Sequence, residues 1–265
     1  MRKADKIKLS VMVGVSLLAF VVGCVDTAVQ PLPTSIDYTS EVSVVNLTAG
    51  TGTATISVYN AKVNADSLTN NLLLTEIDYS KPAISANVDL GSTLPDNGYQ
   101  ELPAGGKAIV VSYTNSAYKD TFKLTTDSQY KMRIFIVGDT AAGTRTAIKS
   151  AERYTWQTPS STDGAQLFPA DSGWLRVFNG SPDGSGAVSV DVRDAVKDSS
   201  YDAADVNFKS VSSYFKLPSG NNFNLIVTAG STVDTVAFTP ASQRRYTAVV
   251  YNYAASLLVK ILTDD

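Results

Sequence analysis

The chain has no histidine, one cysteine and two tryptophans, and charged residues make up only 18% of its 265 positions. Without histidine there is no Ser-His-Asp triad, no Cys-His dyad and no imidazole-ligated zinc, and a lone thiol closes no disulfide within the chain. Basic residues are short as well. The 22 Lys and Arg stand against 25 Asp and Glu, for a net charge of −3 and a pI near 5.0. Nucleic-acid binding needs a basic footprint, so no nucleic-acid partner is expected. What remains is globular: 44% hydrophobic residues in 28.1 kDa with a mean hydropathy of +0.00, enough for roughly two domains.

The N-terminus reads as an address. Arg2, Lys3, Lys6 and Lys8 against Asp5 give the first 23 residues a charge of +3, and Val11 to Val22 is a nearly unbroken apolar run of 12. A span needs about 20 residues, so the run suits a signal peptide and not a membrane helix. It closes on Val21-Val22-Gly23-Cys24, which resembles the bacterial lipobox. The resemblance implies signal peptidase II cleavage before Cys24, leaving 242 residues at a net charge of −6 with diacylglycerol on the cysteine sulfur. Two or three acyl chains anchor stably where one is marginal. Val25, in place of Asp at that position, favours the outer membrane of a Gram-negative cell by the usual sorting rule. With its only thiol lipidated, the exported protein is expected to hold together without disulfides.

Residues 24–40 carry Pro31 and Pro33 and no periodicity, and read as a lipidated tether; 159–172, opening on Pro159-Ser160-Ser161, read as a linker. Between and after them apolar residues recur with period two: Ala54/Ile56/Val58, Ile109/Val111/Tyr113, Val188/Val190/Val192, Phe223/Leu225/Val227. Such runs, rich in Val, Ile, Thr, Tyr and Phe, predict half-buried strands, and no long 3.6-residue stripe interrupts them. The fold class is all-β, with two antiparallel β-sandwich domains at 41–158 and 173–265.

The two halves also match each other. Val42-Ser43-Val44-Val45-Asn46 answers Leu175-Arg176-Val177-Phe178-Asn179, and Tyr99 to Gly105 answers Tyr214 to Gly220, each through Leu-Pro-x-Gly. Asp120 to Thr125 answers Asp234 to Thr239, and Ser128-Gln129-Tyr130 answers Ser242-Gln243 and Tyr246. Tandem copies of one domain follow, the first with a longer insertion around 60–98. At these positions the second copy resembles the DUF4397 family of exported bacterial proteins. The resemblance rests on Asn179-Gly180-Ser181-Pro182-Asp183, the Tyr214 to Gly220 segment, and Tyr246-Thr247-Ala248-Val249-Val250-Tyr251. In the first copy Leu47-Thr48-Ala49-Gly50 replaces the Ser-Pro-Asp turn. The resemblance implies a small β-sandwich, immunoglobulin-like or transthyretin-like, and lends no activity.

Candidate sites are few. Leu-Pro-x-Gly reads as a turn, proline fixing φ and glycine supplying positive φ. Asp194, Asp198 and Asp202, with Asp191 and Asp205, are the best calcium candidates. Their spacings of three and four, without glycine and with Lys197 between, suit a short helix or solvated loop better than a wrapping calcium loop. No metal or other cofactor is expected. A glycosidase would need two carboxylates facing across a cleft, and most aspartates here sit beside Gly, Ser, Asn or Thr, which is turn usage. The 13 tyrosines and the two tryptophans, Trp156 and Trp174, are the hint of recognition, as partner-binding rings or as packing where the domains meet.

The expected function is a non-catalytic, lipid-anchored envelope protein that binds a glycan, a matrix component or an envelope partner. The alternatives are a subunit of a fimbria-like surface polymer assembled by exchange of a strand from residues 36–46, and a carboxylate-dependent glycosidase.

Overall fold

The structure is a computed structural model that describes residues 39–49, 53–61, 77–96, 98–113, 119–128, 130–139, 143–153, 171–181, 186–253 and 256–264. The lipobox residues Val21, Val22, Gly23 and Cys24, and with them Trp156, lie outside the described residues. Among those described there is no helix, and so none long and apolar enough to cross a membrane.

The first repeat comprises β1 (Thr39–Ala49), β2 (Thr53–Asn60), β3 (Ile84–Asp89), β4 (Thr93–Leu94), β5 (Gln100–Pro103), β6 (Gly105–Tyr113), β7 (Lys119–Thr126), β8 (Tyr130–Asp139) and β9 (Thr146–Arg153). One sheet runs β4-β1-β8-β9, with β5 also on β1, and the other runs β3-β2-β6-β7. The second repeat comprises β10 (Ser172–Asn179), β11 (Ala187–Asp194), β12 (Ser199–Asn207), β13 (Phe215–Pro218), β14 (Phe223–Ala229), β15 (Thr232–Phe238), β16 (Arg245–Tyr253) and β17 (Ser256–Thr263). Its sheets run β13-β10-β16-β17 and β12-β11-β14-β15.

These are the same topology twice. In each repeat the first strand pairs parallel with the penultimate one, β1 with β8 and β10 with β16, while every other pairing is antiparallel. In the second repeat strands one, four, seven and eight share a sheet, as do two, three, five and six; the first repeat follows the same order once its short β4 and β5 are counted as one strand. That division differs from the ABED and CFG strand division of an immunoglobulin constant domain, within the same two-sheet sandwich architecture. The proline turns fall where the sequence places them: Gly105 (φ 109°) opens β6 after Pro103, and Gly220 (φ 78°) leads into β14 after Pro218. β1 already includes Thr39 and Ser40, and β10 opens at Ser172, so both strands reach into the stretches read as tether and linker.

Each sandwich has its own core. Val42, Val44, Ile56, Ile109, Ile134 and Ile136 fill the first; Leu175, Val177, Val190, Leu225, Ala248 and Val250 fill the second. A third cluster lies between them. Val45 and Leu47 of β1 and Phe135 and Val137 of β8 pack against Phe178, Val249, Tyr251 and Leu262 of the second repeat. The β1-β8-β9 and β10-β16-β17 sheets therefore meet face to face, and β1, β8 and β16 are buried on both sides. Buried both ways, a strand reads as a continuous apolar run, which is how Ile134-Phe135-Ile136-Val137 stands in the sequence.

Candidate functional site

Asn46 and Asn179 end the inner part of their first strands and do the same work. The Asn46 amide donates to the Val88 carbonyl at 3.0 Å and its side-chain oxygen accepts from the Thr48 N–H; Asn179 donates to the Val206 carbonyl at 2.9 Å and accepts from the Ser181 N–H. Both are fully buried. The backbone of each also bonds twice to the turn beyond the third strand: Asn46 accepts from the Gly91 N–H and donates to the Ser92 carbonyl, and Asn179 accepts from the Lys209 N–H and donates to the Ser210 carbonyl. The motif asparagine is thus a brace between the sheets. Ser181 adds a contact from its hydroxyl to Asn252.

At one end of the interface the two repeats build a polar cluster together. The Arg133 guanidinium lies 2.9 Å from the Asp264 carboxylate and donates to the Thr263 carbonyl at 2.8 Å. Arg133 and Asp264 are only 1% and 2% exposed. Asp264 also accepts from the Thr247 hydroxyl at 2.6 Å and has Arg176 at 3.8 Å; Arg176 in turn donates to the Thr247 oxygen at 2.9 Å. An equivalent tyrosine stands under each guanidinium: Tyr99 lies 4.9 Å from Arg133 and Tyr214 lies 5.1 Å from Arg176. The arginines reach these places from different strands, β8 in one repeat and β10 in the other. Trp174 meets the Tyr214 ring edge-on at 6.4 Å, and Lys131 lies over Tyr99 at 5.1 Å while paired with Glu41. A row of half-buried rings and cations therefore flanks one shared carboxylate, and cation–π contacts of this kind hold flat, rigid surfaces.

Trp174 is accordingly a member of the cluster, with its ring partner inside its own sandwich. Phe178, on the same face of β10, stacks on Phe135 across the interface at 3.8 Å and 7°. Tyr251, the last residue of the Tyr246 to Tyr251 segment, is buried there, its ring against Gly91. Sequence reasoning missed Arg133 and Asp264. The available signal was a charged residue inside the apolar run of β8.

The calcium candidates do not converge. Asp194 closes a turn, its carboxylate accepting from the Val196 and Lys197 N–H groups, which holds its pKa below the usual range. Asp198 sits in that turn at φ 49° and Asp202 lies on β12, so the helical spacing is not realised; the segment is a hairpin. Among the described residues no group of three acidic or thiol side chains is placed to hold a metal. The release of a strand from residues 36–46 also meets an obstacle. β1 is not an edge: it lies between β8 and the β4 and β5 strands, with Val42, Val44 and Val45 fully buried.

One buried group is specific to the first repeat. Lys107 occupies the core position that Phe223 fills in the second, and it donates to the Pro103, Gly105 and Gly106 carbonyls. Burial pushes its pKa down to about 8.

Brace, turn and paired sheets in the second repeat are the features carried by Asn179, Tyr214 to Gly220 and Tyr246 to Tyr251. Residues 173–265 match DUF4397, a domain of unknown function. The DUF4397 region thus takes in the second sandwich from Gly173 onward. No curated protein matches the chain. Among solved structures, the Bacillus anthracis TIE protein is 10% identical over 83% of this chain and 34% of its own, with a TM-score of 0.24. The chain spans about a third of that protein's length. A candidate cell adhesion protein from Bacteroides uniformis is 11% identical over 88% of this chain and 99% of its own, also with a TM-score of 0.24.

Proposed function

We propose that the protein is a non-catalytic module, lipid-anchored through Cys24 in the outer membrane of a Gram-negative cell, that binds an acidic glycan or an envelope partner at the junction of its two sandwiches. One observation carries the reading: Tyr99 under Arg133 and Tyr214 under Arg176 flank a carboxylate that both repeats share. Flat, half-buried rings suit stacking on sugars, and two guanidiniums around one carboxylate leave a positive charge that favours acidic ones; neither demands a reactive side chain. A surface built from two rigid sandwiches costs little ordering entropy on binding. The lipobox at Val21-Val22-Gly23-Cys24 supports the anchor.

Location is tested by protease shaving of intact cells carrying the wild type or Cys24→Ala. The reading expects wild-type cleavage while a periplasmic marker survives, and loss of membrane fractionation in Cys24→Ala. A variant that stays with the membrane removes the lipid anchor from the account. Binding is tested on a panel of acidic and neutral glycans, where Tyr214→Ala should weaken retention of the acidic members about tenfold. Equal retention of both classes by both proteins would contradict it.

A further inference from the structure

A small cleft opens beside the polar cluster, about 90 Å³ in volume and lined by Thr93 and Gly98 from the first repeat, Arg133 from β8, and Lys260 to Thr263 of β17. It has room for about three waters, too little for a sugar ring. Its charge is one-sided. Arg133 and Lys260 both face it, and no acidic residue lines it among the described residues. Asp264, which pairs with Arg133, is divided between that guanidinium and Arg176. Lys260 reaches a neutral partner, the Ser92 hydroxyl, at 3.0 Å. The buried Arg133 Nε has no hydrogen-bond partner. That atom is itself buried, so Arg133 favours an anion in the cleft through its charge and not through a direct bond from Nε.

We propose that this cleft binds a tetrahedral oxyanion, sulfate- or phosphate-sized, held between Arg133 and Lys260, with the Thr93 and Thr263 side chains at its rim. The inference rests on reading the junction as a binding surface and names the group that surface takes. The oxyanion comes either from solution or as the substituent of an acidic glycan. Because the site is built from both repeats, its occupancy also tightens the junction.

The test is calorimetric titration of the full-length chain in detergent with sodium sulfate and sodium phosphate, against sodium chloride at matched ionic strength. Wild type should bind sulfate or phosphate saturably and chloride not at all. Lys260→Met should weaken binding on the order of tenfold or more, Lys260→Arg should restore it, and Lys123→Met, on exposed β7, should leave it unchanged. Equal responses to sulfate and chloride, or wild-type binding by Lys260→Met, would overturn the proposal. A sulfated oligosaccharide and its unsulfated counterpart separate the sources. Competition by the sulfated form alone identifies a glycan substituent; sulfate binding without such competition identifies the free ion, and then the glycan reading fails while the cleft stands.

Discussion

At the scale of single residues, the repeats differ most where one has spent polarity inside its core. Lys107 stands where Phe223 stands in the second repeat, with its pKa lowered to about 8 by burial against 10.5 in the unfolded chain. Between those values the unfolded chain holds the proton that the folded one has lost, so stability rises with pH through that window, by up to roughly 3 kcal/mol. Tyr113 works the other way. Burial, with the neighbouring Asp120 charge, pushes it up to about 12 from 10.0, so stability falls as pH climbs from about 10 to 12. Thermal melts across pH 7 to 12 should thus show a maximum near pH 10, and Lys107→Met should remove the rise while keeping the fall. A flat profile in the wild type would contradict the burial of Lys107. The asparagine braces make a simpler prediction: Asn46→Ala and Asn179→Ala should each cost about 1–3 kcal/mol in chemical denaturation, since each leaves buried backbone groups unmet. These asparagines were legible in the sequence as matched ends of matched strands. Their partners Val88 and Val206 were not, because nothing in a strand's alternation says which carbonyl at its end lies under a neighbour's amide.

Among elements, the strands of both repeats were legible because period two survives wherever one face is buried and the other wet, as in β2 and β11. Strands buried on both faces lose that contrast, and β8 and β16 show why the meeting of the two sheets was hidden: Phe135 and Val249 look like core residues and face outward from their own cores. The acidic stretch misled for the opposite reason. Spacings of three and four suggest a helix, yet Val188, Val190 and Val192 fix β11 and draw residues 199–207 into the antiparallel strand beside it. The turn between β3 and β4 carries a sharper test. Gly91 has φ +73°, and a Cβ there would overlap the Tyr251 ring across the interface. The equivalent Lys209 in the second repeat tolerates a side chain at φ 64°. Gly91→Ala should therefore cost about 1–3 kcal/mol by denaturant midpoint, whereas Lys209→Ala should cost far less. Equal costs would mean that neither the left-handed backbone nor the Tyr251 ring penalises a Cβ at position 91.

For the whole molecule, the decisive feature is that two copies of one sandwich bury a third core between them and close it with an ion pair. Leu47 on β1 and Gly180, one residue past the end of β10, are equivalent positions that meet each other, and a Cβ on Gly180 would fall 2.9 Å from Leu47. Such an interface couples their stabilities. Asp264→Asn strips the buried Arg133 of its counter-charge and should cost about 3–5 kcal/mol; Phe135→Ala removes half of the stacked pair and should cost a similar amount. Differential scanning calorimetry of the full-length chain tests this coupling most directly. The account predicts one cooperative transition in the wild type, splitting into two when Asp264→Asn and Phe135→Ala are combined. Two independent transitions already in the wild type, unmoved by those substitutions, would contradict it.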